Sequence, residues 1–286
     1  MAERASRARR AGARQADAVA AFVGLPPNLE GEALQVEVAG FNGGDRTSLD
    51  LPAAQETLLK AVAATGKPLV VVLLSGSAVA LNWAQQHADA ILVAWYPGEA
   101  GGQAIADALA GAYNPAGRLP MTFYRSADDL PPMADYRMQG RTYRYFNGKP
   151  LYPFGHGLSY TRFGYGGLRL SQTQLKAGDP LTVSVEVRNL GDRDGDEVVQ
   201  AYLTPPASPL SPRHALAGFR RVHLKAGESR RVEVQLSPRA LSTVDAEGRR
   251  AVRAGRYTLS IGGGQPGFAD VRNATFVIEG EQALPR

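Results

Sequence analysis

The sequence predicts an α/β domain followed by an all-β domain, and three observations carry that reading. Short continuous apolar runs alternate with helical stretches over the first part of the chain, this rhythm stops after Leu119-Pro120, and from Leu168 onward apolar residues fall at every second position. At 286 residues the chain exceeds the roughly 100–200 of a single domain, so each part has enough residues to bury a core.

The apolar runs are AVAAFVGL at 18–25, PLVVVLLS at 68–75 and DAILVAWY at 89–96. Runs this short, bounded by Gly, Pro or Asp, read as strands buried on both faces, the kind found in parallel sheets. Helical stretches separate or follow them at 53–65, 79–87 and 102–111. An alternation of this kind is the pattern of βαβ units, and it leaves about three or four parallel strands, fewer than the five or so common in doubly wound folds. The sheet therefore reads as incomplete on its N-terminal side. Residues 125–167 are rich in Pro, Gly, Arg and aromatics with little periodicity. They read as an ordered connector, because so many rings would bury a large area against a neighbouring surface. LTVSVEVRN, EVVQAYLTP, RRVEVQLSP and GRYTLSIGG then alternate as half-buried strands, predicting an antiparallel sandwich of about seven strands. The expected divisions are 1–124, 125–167 and 168–280.

Hydrophobic residues at 44% and charged residues at 21% suit a folded globular chain and argue against disorder throughout. No apolar run approaches the roughly 20 residues of a membrane span, and no signal peptide precedes the first run, because Arg9-Arg10 is followed by Ala-Gly-Ala-Arg-Gln. The net charge of +5 sits mostly in an N-terminal arm. Arg4, Arg7, Arg9, Arg10 and Arg14 stand there against Glu3, and the rest is close to neutral. Alternating Arg and Ala suits a solvated helix, so neither nucleic acid nor membrane is the expected partner. Cysteine is absent, and His87, His156, His214 and His223 are too scattered for metal-ligand spacing. No metal and no cofactor is expected.

Several motifs reduce to local structure. Gly262, Gly264 and Gly267 satisfy G-x-G-x-x-G, but Pro266 lies inside the motif and no helix follows, so this is a strand-end turn. Asn273-Ala274-Thr275 is a sequon that decides nothing. Ser75-Gly76-Ser77 lacks the trailing glycine of a nucleophile elbow and reads as a sharp turn after a strand. The informative stretch is PPNLEGEAL at 26–34, followed by VAGFNGGDR at 38–46. It leaves the C-terminal end of a buried strand, where α/β domains bind ligands, and it carries more carboxylates and glycines than a connector requires.

Together with KPLVVVLLSGSAVALNWA, WYPGEAGGQAIADALAGAYNPAGRLPMTF, RTYRYFNGKPLYPFGHGLSYTRF and ALAGFRRVHLKAGE, in that order, this stretch resembles the C-terminal portion of glycoside hydrolase family three, the β-glucosidase and β-xylosidase family. The resemblance implies a partial flavodoxin-like domain followed by a fibronectin type III-like domain. It also implies a retaining glycosidase, whose nucleophilic aspartate comes from an N-terminal barrel and whose acid/base glutamate comes from a loop of the α/β domain. Residue by residue, the family pattern selects Glu32 as acid/base, with Glu30 as second choice. It also implies that Asp45 and Arg46 support the loop through an ion pair. The barrel and its nucleophile have no counterpart in the sequence. The expected activity is therefore that of the acid/base part of an enzyme on β-linked glycosides or oligosaccharides, with a barrel domain supplied in trans and the isolated chain inactive. The alternative is a non-catalytic carbohydrate-facing or scaffold module. Sugar, linkage and compartment stay open, although full-length relatives are often periplasmic or secreted.

Overall fold

The computed structural model describes residues 11–30 and 35–285, and the chain divides into two compact units. The first holds the residues up to Ala110 together with Phe123–Pro132 and Gly148–Tyr152. Its centre is a parallel sheet of β1 (Val19–Gly24), β4 (Leu69–Leu74) and β5 (Ala90–Val93), with β4 in the middle. Between β1 and β4 lie the two-residue strands β2 (Phe41–Asn42) and β3 (Asp45–Arg46) and helix α1 (Ala53–Ala63).

Position in the sheet decides which strands are covered. Val71, Val72 and Leu73 of β4 are fully buried, as a strand with neighbours on both sides should be, whereas Phe22 of the edge strand β1 is 54% exposed. The expectation of burial on both faces thus holds for β4 and fails for β1, whose period-2 alternation puts Ala20 and Phe22 on an uncovered face. Helix α1 buries Leu59 and Val62, three residues apart on one face, and α3 (Gly101–Ala110) buries Ile105 and Ala108 in the same way. Helix α2 (Asn82–His87) is shorter than its sequence suggested. Gly24 closes β1 with φ 147°, and a Cβ there would lie 1.7 Å from the Leu74 carbonyl oxygen. Only glycine lets the chain turn away this close to β4. The Gln55 side chain clamps the turn, accepting from Gly24 N at 2.7 Å and donating to Gly24 O at 2.8 Å.

The second unit comprises Gly111–Thr122, Met133–Asn147 and the residues from Pro153 onward. The stretch read as one connector, 125–167, is therefore shared between the two units, and the first long strand of the sandwich, β6 (Phe163–Leu170), begins inside it. After β7 (Gln174–Lys176) come β8 (Leu181–Asn189), β9 (Gly195–Thr204), β10 (Ala215–Leu224) and β11 (Ser229–Leu236). Short β12 (Thr243–Val244) and β13 (Arg250–Val252) lead to β14 (Gly255–Gly262), β15 (Val271–Glu279) and β16 (Gln282–Leu284). One sheet has the order β10-β9-β14-β15-β7 and another β11-β8-β6. Their inward residues, among them Val183, Val185 and Val187 of β8, Val199 and Ala201 of β9, and Leu259 and Ile261 of β14, form one continuous core. This is the sandwich the alternation called for.

Connector aromatics cover part of the five-stranded sheet. Tyr143 stacks on Phe154 with centroids 4.1 Å apart, both rings meet Tyr202 edge-on, and the Tyr143 hydroxyl accepts from Leu216 N at 2.9 Å. Not every connector ring is used this way, since Tyr136 is 93% exposed. Below them, Arg118 from the segment preceding Thr122 forms a buried ion pair with Glu197 of β9 at 2.8 Å, and the Tyr165 hydroxyl of β6 donates to the other Glu197 oxygen at 2.6 Å.

Candidate functional site

The three parallel strands end side by side, and the loop after each contributes to one cluster. After β1, Leu25 N donates to Leu74 O at 2.9 Å, and a turn follows in which Leu29 N donates to Pro26 O at 2.8 Å. This turn delivers Glu30. After β4, Ser75 Oγ donates to Ser77 O at 2.9 Å and accepts from Ser77 N at 3.2 Å, shaping a tight turn. After β5, Trp95 takes φ 54°, unusual for a bulky residue, while its ring meets Phe123 edge-on. That backbone reversal brings Tyr96 back toward the other two loops.

The Glu30 carboxylate is the hub. It accepts from Ser77 Oγ at 2.5 Å, from Gly76 N at 3.2 Å and from the Tyr96 hydroxyl. The single Tyr96 hydroxyl proton also faces the Leu25 carbonyl oxygen at 2.5 Å. A Cβ on Gly76 would stand 2.7 Å from the Tyr96 ring, so the ring rests directly on that peptide. Arg46 completes the group, donating from Nη1 to Ser77 Oγ at 2.9 Å and to Ala78 O at 2.8 Å. Its Nη2 is buried with no hydrogen-bond partner.

Electrostatics follow from these contacts. Partial burial alone would raise the Glu30 pKa, but the donors Ser77, Tyr96 and Gly76, with the Arg46 charge, hold it below the usual glutamate value. Burial and the adjacent Glu30 push the Tyr96 phenol up. Burial pulls Arg46 down while the charges of Glu30 and Asp50 resist. The group at neutral pH is therefore an ionised carboxylate, a neutral phenol and a guanidinium. Such a carboxylate binds hydrogen-bond donors but holds no proton to give.

Of the residues expected from the sequence, Glu30 and Arg46 enter this cluster, and Glu32 lies outside the described residues. So do residues 1–10 of the basic arm, whose residues 11–15 are helical. The expected ion pair between Asp45 and Arg46 is not formed. Neighbouring residues on a strand point to opposite faces, so Asp45 of β3 stays exposed while Arg46 turns inward to Ser48 O, Ser77 and Ala78. Sequence reasoning missed Ser77 and Tyr96 as members of the site. Ser77 lies two residues past one apolar run and Tyr96 ends another, and that placement was the signal available.

Residues 3–160 match the glycosyl hydrolase family 3 C-terminal domain, and residues 197–265 match the fibronectin type III-like domain. The chain belongs to glycosyl hydrolase family 3. Among its family 3 relatives, it is 43% identical over 240 residues to a xylan 1,4-beta-xylosidase of Xylanibacter ruminicola, a match covering 84% of this chain and 28% of that protein. It is 39% identical over 264 residues to a periplasmic beta-glucosidase of Salmonella typhimurium, covering 87% and 33%. The solved β-glucosidase of Erythrobacter marinus superposes with a TM-score of 0.84 at 35% identity, covering 97% of this chain and 36% of that one. A beta-glucosidase from Kluyveromyces marxianus in complex with glucose gives 0.82 at 30% identity, covering 98% and 34%. The chain thus spans about a third of the length of the curated relatives it matches.

Proposed function

We propose that this family 3 chain is the acid/base-bearing portion of a retaining β-glycosidase of the β-glucosidase or β-xylosidase type. The observation that carries the proposal is the state of Glu30, the second choice for the acid/base. The Glu30 carboxylate is ionised and engaged by Ser77, Tyr96 and Gly76, so it holds no proton to give, and the family pattern offers Glu32 for proton transfer instead. Both belong to the segment that follows the C-terminal end of a parallel strand, the edge at which α/β sheets bind ligands.

In this reading Glu32 enters the reaction protonated and gives its proton to the glycosidic oxygen. A nucleophilic carboxylate from another part of the enzyme attacks the anomeric carbon and forms a glycosyl ester. Glu32, now ionised, removes a proton from the incoming water and the sugar leaves with retained configuration. The two carboxyl groups must stand about 5–5.5 Å apart for this sequence of steps. The nucleophile belongs to the two-thirds of the relatives' length that this chain does not match. Arg46 serves the loop by tying β3 to Ser77 and Ala78.

The test is a chimaera in which this chain replaces the matching segment of the Xylanibacter ruminicola xylosidase. Glu32→Ala should cost about 10²–10⁴-fold on glycosides with poor leaving groups. Aryl glycosides with acidic phenols should be glycosylated at nearly normal rates, and azide should restore turnover. Azide rescue of Glu30→Ala but not of Glu32→Ala would reverse the assignment.

A further inference from the structure

We infer that a cavity lying wholly within the second unit binds a carboxylated pyranose, its carboxylate taken by the guanidinium groups of Arg162 and Arg118 and its ring by the wall around Leu158 and Phe163. The cavity holds about 300 Å³, the lower end of the range for ligand sites, which suits a single ring. Its lining comes from the segment before Thr122, from residues 157–165 ahead of and within β6, from β9, and from the turn between β14 and β15. The role given to Glu32 has no bearing on it.

Two acids and two arginines line this space, and the contacts they make leave donors in excess. Both Glu197 oxygens are engaged, one by the Tyr165 hydroxyl at 2.6 Å and the other by Arg118 Nη2 at 2.8 Å. Asp270 is paired with Arg272 at 2.8 Å. The hydroxyl protons are committed as well, that of Ser159 to Asn114 Oδ1 at 2.9 Å and that of Thr161 to Asn189 Oδ1 at 2.6 Å. Arg118 Nε, by contrast, is buried with no hydrogen-bond partner, on a side chain only 10% exposed. A buried donor in that state calls for an acceptor that the protein does not supply. Arg162 is exposed, and among the described residues no hydrogen bond or ion pair occupies its guanidinium. One unpaired positive charge and one orphan donor thus belong to the same cavity, an arrangement that suits a single anion able to accept twice, as a carboxylate does. Leu158, 77% exposed, and Phe163 add apolar wall. A small inorganic anion makes no use of such a wall, whereas the C–H faces of a sugar ring bury against it.

The test is a titration of the whole chain with glucuronate, followed in proton–nitrogen correlation spectra that include the arginine Nε–H signals. Glucuronate should bind with a Kd of about 1 mM and shift the Arg118 Nε–H signal. Glucose has the ring without the carboxylate and acetate the carboxylate without the ring, so each should bind at least about tenfold more weakly. Arg162→Gln, at an exposed position that costs the fold little, should weaken glucuronate binding by about tenfold or more, and Leu158→Asp should weaken it through repulsion of the carboxylate. If the methyl glycoside of glucuronate binds as well as the free acid, the ligand is the acidic side group of a glycan; if it is excluded, the ligand is the free sugar acid, and both results support the site. Glucose or acetate binding as tightly as glucuronate, or an affinity unchanged in Arg162→Gln, would overturn the inference. So would an Arg118 Nε–H signal that stays in place at glucuronate concentrations well above the expected Kd.

Discussion

His214 is 7% exposed, lies between the rings of Tyr143 and Tyr202 at centroid distances of 5.9 and 5.8 Å, and has its Nε2 buried without a partner. Burial, aided by the Arg213 charge, lowers its pKa from 6.5 to about 4. A depressed value means that the unfolded chain binds the proton first. Stability is therefore undiminished above about pH 6.5 and falls as the pH drops toward 4, by up to about 3 kcal/mol. His214→Leu should flatten this part of the melting-temperature profile. Parallel profiles for the two proteins between pH 4 and 7 would show the imidazole uninvolved. Glu30 contributes in the same direction, because a carboxylate held below its ordinary pKa loses stabilisation as it is protonated.

Among the elements, Glu197 of β9 links the segment before Thr122, through Arg118, and strand β6 of the other sheet, through Tyr165. Burial pushes the Glu197 carboxyl up, and Arg118 and the Tyr165 hydroxyl oppose this. Its side chain is only 3% exposed and that of Arg118 10%, so removing one charge strands the other in the interior. Glu197→Gln should destabilise the chain by about 3–5 kcal/mol in urea denaturation, and a double replacement of Arg118 and Glu197 by leucine should recover much of the loss. A single variant as stable as the parent would show that water reaches Arg118. The alternation in the sequence located the strands around this pair, and the buried glutamate was hidden in it: EVVQAYL places Glu197 in register with Val199 and Ala201, where period 2 expects an apolar residue.

For the whole molecule, a general acid accounts for part of a retaining mechanism and the nucleophile for the rest. Alone, the chain is expected to release nitrophenol from nitrophenyl β-glucoside or β-xyloside no faster than its Glu32→Ala counterpart. Turnover above that control with retained anomeric configuration would place a nucleophile among this chain's own carboxylates. The buried core of the fibronectin type III-like unit is made of its own residues, from Tyr165 to Ile278.

The sequence by itself determined the family and the succession of a parallel α/β sheet and an antiparallel sandwich. These depend on periodicity and on local motifs, which survive in a linear string of residues. Tertiary structure decided what Glu30 does. Its donors come from residues 46 and 66 positions away in the chain, Gly76 and Tyr96, and no spacing rule connects them. It also turned Arg46 away from Asp45 and toward Ser77, because adjacent strand residues face opposite ways. The strand ends bring residues together only after β1, β4 and β5 have paired. The protonation state of a carboxylate is a property of that assembled neighbourhood.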